Sequence, residues 1–225
     1  PEQFLEDSLL TLNHEFWKKR AERYGDSEEF SFPDVYLNKR ENRAIKRVVQ
    51  RAKPSRILDI GCGNGFSTVD IVSGLESSVI GIDSNEIAVQ VANRMAVGHG
   101  RKGVSFIAGQ MENISFPDKS FDMVYAKRAL TNLPTRSLQR RSLEECSRVL
   151  TSSGLLCVSD LFSEGYDKLN KMRAKVGLPS IDLPNHACLF TESDLLQMTQ
   201  NLFVLQKSYD ATSTYYFTSR IIYPL

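Results

Sequence analysis

The sequence contains no apolar run of the roughly 20 residues that a helix needs to cross a bilayer. Residues 1–20 also lack the apolar core and the small-residue cleavage site of a secretory signal. These two absences predict a cytoplasmic protein without a membrane partner.

Sequence patterns for metal ions, disulfides and long polyanions are missing as well. The four cysteines include no Cys-x-x-Cys pair, which argues against a zinc site and against a disulfide framework. The net charge is only +1, whereas proteins that bind long nucleic acids usually carry a strongly basic face. We therefore expect no metal ion and no nucleic-acid partner, but a small-molecule substrate and a monomer or homodimer.

What the chain does contain is an ordinary globular composition, with 41% hydrophobic and 24% charged residues in 225. This length favours a single domain, 1–225. Strand and helix patterns alternate between residues 56 and 160, which predicts a mostly parallel, doubly wound sheet in a three-layer α/β/α fold of Rossmann type.

The two ends of the chain depart from this alternation. Residues 1–53 predict a helical cap, in which a helix at 8–24 has Leu9, Leu12, Phe16 and Trp17 on its apolar face. Residues 203–209 and 214–222 predict two strands joined by a tight turn. Such a hairpin implies an antiparallel pair at one edge of the sheet.

A glycine-rich loop follows the first predicted strand, with the sequence Asp59-Ile60-Gly61-Cys62-Gly63-Asn64-Gly65. Ligands of open parallel sheets bind at the carboxyl ends of the strands, and glycines let the backbone approach them closely. Dinucleotide sites have the spacing G-x-G-x-x-G around a pyrophosphate, whereas this loop is G-x-G-x-G behind a carboxylate. An acid there favours a ligand that carries an ammonium and a sulfonium.

A second acid, Asp83, ends the next predicted strand in the sequence Gly81-Ile82-Asp83. A carboxylate at this position can accept hydrogen bonds from both ribose hydroxyls of an adenosine. Ser84 follows it and is predicted to cap the next helix.

Together these residues resemble class I S-adenosylmethionine-dependent methyltransferases of the small-molecule type. Residues 57–65 resemble the family's motif I, Asp83 matches its ribose-binding acid, and the resemblance covers roughly residues 40–225. It implies S-adenosyl-L-methionine as the cofactor. The cofactor-binding residues that it implies are Asp59, Gly61, Cys62, Gly63, Asp83, Ser84, Gln110, Met111 and Lys127.

One of these positions departs from the family, because Gln110 stands where an Asp usually accepts from the adenine amino group. Its amide oxygen can accept in the same way. Met111 is placed to lie against the adenine ring, and packing in the core is an equal alternative for it.

The segment after the fourth predicted strand faces the methyl group in this family. It carries Arg128 and Asn132 ahead of Leu-Pro, and it lacks the Asn/Asp-Pro-Pro-Tyr/Phe of enzymes that methylate nucleic-acid bases. Arg128 is a candidate catalytic and substrate-binding residue for an anionic acceptor, with an ion pair to Asp160 or another acid as the alternative. Asn132 is a substrate-binding candidate, or the cap of the helix that begins near Pro134.

Residues 161–190 form an insertion on the expected acceptor side, and loops in such positions often determine specificity. His186 lies in it and is a candidate general base, needed only if the acceptor is a hydroxyl or a protonated amine. The other two histidines, His14 and His99, are expected further from the site. In the resembling enzymes an N-terminal helix covers the cofactor, which makes Trp17 and Tyr24 candidates for closing the pocket, with simple packing as the alternative.

The sequence therefore predicts methyl transfer to a small acceptor, such as an anionic sugar, an acid or a natural-product intermediate, by in-line displacement. Two alternatives remain open at this point. One is an NAD(P)-dependent oxidoreductase with the same sheet, and the other is a non-catalytic protein that binds adenosylmethionine.

Overall fold

The computed structural model describes residues 2–31, 33–183 and 187–222. The candidate base His186 therefore lies outside the described residues. The described chain contains five strands: β1 (Arg56–Ile60), β2 (Ser78–Asp83), β3 (Val104–Ala108), β4 (Phe121–Lys127) and β5 (Leu150–Ser159).

The five strands form one sheet in the order β3-β2-β1-β4-β5, and every neighbouring pair is parallel. The strand order reverses direction between β1 and β4, so the crevice expected in such sheets opens beyond the carboxyl ends of these two strands. Asp59 pairs in register with Tyr125 of β4. The doubly wound α/β prediction is confirmed.

Helices flank the sheet on both faces, and one N-terminal helix covers its carboxyl edge. The described helices are α1 (Glu2–Tyr24), α2 (Val35–Ala52), α3 (Phe66–Ile71), α4 (Glu86–Gly98), α5 (Arg136–Val149), α6 (Ser163–Lys175), α7 (Glu192–Thr199) and α8 (Ser213–Phe217). One buried core lies between the sheet and α5, and a second lies between the sheet and α2 with α3.

Helix α1 is longer than the pattern predicted and turns a different face inward. Leu12 and Phe16 are 68% and 38% exposed, whereas Asn13 and Ala21 are buried. The predicted apolar face is therefore wrong at Leu12 and Phe16, whereas Leu9 and Trp17 are half-buried. The reason is that the inner side of α1 covers a partly polar cleft.

The predicted C-terminal hairpin is also wrong. Residues 203–209 form no strand, and residues 214–222 lie in α8 and in the π-helical turn Thr218–Ile222 that follows it. Tertiary contacts override the strand propensity of this Thr- and Tyr-rich segment. The hydroxyl of Tyr215 donates to Asp34 at the start of α2 (2.6 Å), and Arg220 forms an ion pair with the same carboxylate.

Within the described residues, no helix combines the length and the apolar character that a membrane span requires.

Candidate cofactor and acceptor site

The glycine loop between β1 and α3 needs glycine at each of its three positions. Gly61, Gly63 and Gly65 have φ angles of 71°, 55° and 76°, which L side chains rarely adopt. A Cβ atom on Gly63 would lie 2.6 Å from Cε1 of Phe30, which packs on the loop from the N-terminal side. The backbone therefore runs close against both the sheet and the N-terminal segment.

The amide groups of this loop are already bonded within the protein. Gly61 and Cys62 both donate from their N–H groups to the carbonyl of Ile82, at 2.8 and 3.0 Å. Gly63 donates to Oδ2 of Asp83 at 2.8 Å. A pyrophosphate needs free N–H groups at such a loop, so these bonds argue against a dinucleotide.

Asp59 lies at the floor of the cleft and is 3% exposed. Its Oδ2 accepts hydrogen bonds from the hydroxyls of Thr68 (2.6 Å) and Tyr125 (2.8 Å). Burial raises the pKa of Asp59 to about 7, although these two bonds and the nearby Lys127 oppose the rise. Both hydroxyls bond to one oxygen, and no bond from the described chain reaches Oδ1.

Asp83 stands beside Asp59 in the cleft, at the end of the neighbouring strand. Its Oδ1 accepts from the N–H of Asn85 at 2.9 Å. Burial raises the pKa of Asp83, and the N–H bonds from Asn85 and Gly63 oppose that rise. Asn85 caps α4 through its own side chain, so the prediction that Ser84 is the cap is wrong. Ser84 itself lines the cleft.

The remaining predicted cofactor residues converge on the same cleft. Gly61, Cys62, Gly63, Gln110, Met111 and Lys127 all line it. Met111 lies on the glycine loop, because its Cε would be 3.4 Å from a Cβ on Gly61. The cleft is partly open to solvent, and its lining combines the glycine loop with the ends of three strands.

Arg128 follows β4 in a left-handed conformation (φ 50°) and lines the cleft. Its guanidinium binds both carboxylate oxygens of Glu41 from α2, at 2.7 Å each. Burial lowers the pKa of Arg128, but Glu41 outweighs burial and raises it. The structure thus shows the alternative expected for Arg128, an ion pair, and the acid that forms it is Glu41 rather than Asp160. Asp160 instead accepts from Thr131 and Leu161.

Asn132 also lines the cleft, and its side chain and backbone are both engaged. Its Nδ2 donates to the carbonyl of Arg128 at 2.6 Å, and its own carbonyl accepts from the side chain of Asn13. The cap of α5 is Thr135, so the capping alternative for Asn132 is wrong.

Helix α1 presents one face to the cleft, formed by residues spaced three and four apart: Leu10, Asn13, His14 and Trp17. The low expectation for His14 was wrong, since it lies close enough to Asp83 to lower the pKa of that acid against burial. The spacing of residues 10, 13, 14 and 17 could have predicted this face from the sequence. The apolar pattern did not indicate it because two of the four residues are polar.

Tyr24 and the described part of the 161–190 segment both lie away from the cleft. Tyr24 packs with Ala21, Phe30 and Ala88, and the guanidinium carbon of Arg20 lies 4.6 Å from the centre of its ring. None of the described residues of the 161–190 segment lines the cleft. The segment instead contacts the residues that follow β4, because the N–H of Cys188 donates to the carbonyl of Thr131 at 2.7 Å.

Comparison with known proteins now identifies the class. A family model described as "Methyltransferase domain" matches residues 52–210, and the chain therefore belongs to that family. Within it, the fold and the cleft are those of a class I methyltransferase, the type that uses S-adenosyl-L-methionine.

The named relatives differ in length and activity. The chain is 32% identical over 125 residues to the sterol 24-C-methyltransferase erg6 of Aspergillus fumigatus, covering 55% of this chain and 32% of that protein. It is 29% identical over 140 residues to the O-methyltransferase rstn1 of Aspergillus nomiae, covering 62% and 61%. The chain thus spans less than two thirds of both relatives.

A third relative is matched over most of its length. It is the uncharacterized methyltransferase YcgJ of Bacillus subtilis, 28% identical over 203 residues, with 87% of this chain and 76% of that protein covered. Its crystal structure superposes with a TM-score of 0.56 at 25% identity, over 70% of this chain and 66% of that one.

Proposed function

We propose that this protein transfers the methyl group of S-adenosyl-L-methionine to a small-molecule acceptor. The observation that carries the proposal is a cleft with the buried acid Asp59 and the half-buried acid Asp83, next to a glycine loop whose N–H groups at residues 61–63 already donate within the protein. Such a cleft suits a cationic ligand with a ribose and repels a pyrophosphate.

The residues fit the parts of this cofactor. Asp83 accepts from the ribose hydroxyls while the N–H groups of Gly63 and Asn85 hold it in place. Gln110 and Met111 line the adenine side, and Asp59 faces the ammonium. The bound sulfonium supplies an electrophilic methyl group, so the protein has to align the acceptor and exclude water.

The acceptor enters from under α1 in this proposal. This side of the cleft combines apolar Leu10, Trp17 and Leu133 with hydrogen-bonding groups of Asn13 and His14. Such a mixture suits a small organic molecule with a few polar groups. The names of the sterol and O-methyltransferase relatives agree with an acceptor of this kind.

The proposal can be narrowed to an acceptor that carries a negative charge. The guanidinium that would hold an anion, Arg128, already binds Glu41, so the proposal does not depend on an anionic group. A general base at His186 likewise stays a prediction.

Two experiments test the proposal. Calorimetry with S-adenosylmethionine, S-adenosylhomocysteine and NAD should give binding of the first two only, and preferred NAD binding would overturn the assignment. A screen with methyl-labelled cofactor should then label small organic acceptors. Label appearing only in protein or RNA would exclude the small-molecule acceptor, and tight cofactor binding without any transfer would favour the non-catalytic alternative.

A further inference from the structure

Two buried cations beside the glycine loop face a single carboxylate of α2. Lys127 and Arg128 follow one another at the end of β4, and both face Glu41 of α2. All three side chains are at most 11% exposed. Arg128 occupies both Glu41 oxygens at 2.7 Å, which leaves Lys127 with a contact of 4.0 Å to Glu41. Among the described residues, no carboxylate therefore lies within hydrogen-bond distance of the Lys127 ammonium, and Asp59 and Asp70 act on it only from further away. A buried ammonium in such a position favours a further anion.

The ammonium of Lys127 is oriented by neutral side chains. It donates to Oδ1 of Asn38 and, at 3.0 Å, to the hydroxyl of Ser67. Burial lowers the pKa of Lys127 to about 8, against the effect of Glu41. An ammonium has three donors, and hydrogen bonds to the described residues use two of them. Lys127 and Ser67 both line the cleft, so the third donor is near the ligand space.

Asp59 lies close to this lysine on the same side of the sheet. Tyr125 and Lys127 are two residues apart in β4 and point to the same face. The hydroxyl of Tyr125 reaches Asp59, and the carboxylate of Asp59 in turn acts on Lys127. A free amino acid carries an ammonium and a carboxylate on one carbon, and an acid next to a lysine matches that pair of charges.

We propose that Lys127, oriented by Asn38 and Ser67, binds the carboxylate of the methionine part of S-adenosylmethionine. Asp59 receives the ammonium on the adjacent strand. The inference rests on the proposed function and adds to it the group that holds the amino-acid end of the cofactor. It also gives Asn38 a role as a positioning residue that no sequence motif indicates.

The experiment compares three ligands, of which the first two differ only in the carboxylate. Calorimetry would measure the affinity of S-adenosylmethionine, of its decarboxylated form, which keeps the ammonium and the sulfonium, and of 5′-methylthioadenosine, which lacks the whole amino-acid part and the sulfonium charge. We expect Lys127→Met to weaken S-adenosylmethionine roughly 10- to 100-fold, the usual effect of losing a hydrogen bond to a charged group. The affinities of the other two ligands should change less than about twofold.

Asn38→Asp provides a second variant of nearly the same shape. A carboxylate beside Lys127 would compensate the ammonium internally, so affinity should again fall for S-adenosylmethionine only. Lys46→Met is the matched control, since this lysine bonds to Asp70 and Ser73 in the seam between α2 and α3 and does not line the cleft. Thermal unfolding of each variant shows whether it is folded, and if Lys127→Met does not fold, Asn38→Asp decides.

Equal losses for all three ligands in the folded variants would overturn the inference, because a lysine that only joins α2 to β4 would not distinguish them. A wild-type protein that binds none of the three ligands would instead contradict the proposed function itself.

Discussion

The two walls of the cleft are built differently. The donor wall, formed by the carboxyl ends of β1, β2 and β4 with the glycine loop, consists of buried and half-buried groups fixed by short hydrogen bonds, such as Asp59 and Asp83. The cover, formed by α1, contributes half-exposed and exposed side chains such as Trp17 and His14. In the proposed function the donor wall binds the cofactor and the cover meets the acceptor.

The largest expected effect comes from breaking the donor wall at Gly63. In Gly63→Ala the new methyl group would meet Phe30 at 2.6 Å in a backbone with φ 55°. Either Phe30, which is buried, or the loop must shift, and a shift of the loop breaks the N–H bond to Asp83. We expect affinity for S-adenosylhomocysteine to fall at least about 100-fold, equivalent to about 2.8 kcal/mol.

Gly74→Ala is the control for this change, since it has the same kind of backbone (φ 80°) and open space around the methyl group. It should cost only about 1–2 kcal/mol of stability from the left-handed conformation and leave affinity unchanged. Similar affinities of the two variants in calorimetry would mean that the loop does not form the cofactor site.

The second prediction separates stability from binding within the donor wall. Burial raises the pKa of Asp59 to about 7 from 3.8, so between these values the folded chain binds a proton that the unfolded chain releases. Stability therefore decreases as the pH rises through this window, and above pH 7 the fold carries the full cost of an ionised Asp59. We expect Asp59→Asn to raise the free energy of unfolding at pH 8 by as much as about 4 kcal/mol, the equivalent of three pKa units.

Below about pH 3 the wild-type protein and Asp59→Asn should be equally stable, because Asp59 is then protonated in both the folded and the unfolded state. The same substitution should weaken S-adenosylmethionine roughly 10- to 100-fold, since a charged partner of its ammonium is lost. Denaturant unfolding at about pH 3 and about pH 8 checks the stability, and calorimetry at about pH 8 checks the affinity. A variant that is less stable at pH 8 would contradict the assigned cause of the pKa shift.

The difference between the walls also explains what could be predicted from the sequence. The donor wall is local: Asp59 and the glycines are neighbours in the chain, and Asp83 ends the next strand. Strand alternation then gave the parallel sheet. The partners of this wall come from far along the chain, as when Glu41 binds Arg128, and no short pattern encodes such a pairing.

The errors have the same physical origin. Residues 214–222 have the composition of a strand, but contacts with Asp34 hold them in helical turns. The apolar pattern of α1 indicated a face with Leu12 and Phe16, whereas the cleft selects the face with Asn13 and His14. Periodicity identifies an amphipathic helix and not the surface that it covers.

A smaller effect is expected at the cover, at His14. Burial raises the pKa of Asp83, and His14 is one of the groups that oppose this rise. We expect His14→Gln to weaken S-adenosylhomocysteine about two- to fivefold. An unchanged affinity in calorimetry would show that His14 does not act on Asp83 in the way the structure indicates.

The smallest effect is expected at Tyr24 of α1, and Trp17 of the same helix provides the contrast. Trp17 lines the cleft, with its ring 5.2 Å from that of Phe16 and 6.0 Å from that of Phe30. Tyr24 lies outside the cleft, packed under Arg20. Trp17→Leu should therefore raise KM for the acceptor or weaken the cofactor by up to about tenfold, through lost apolar contact. Tyr24→Phe keeps its packing and should change neither value by more than about twofold. If Tyr24→Phe has the larger effect in steady-state kinetics, Tyr24 contacts the ligand in the bound state. Helix α1 would then have to move towards the ligand on binding.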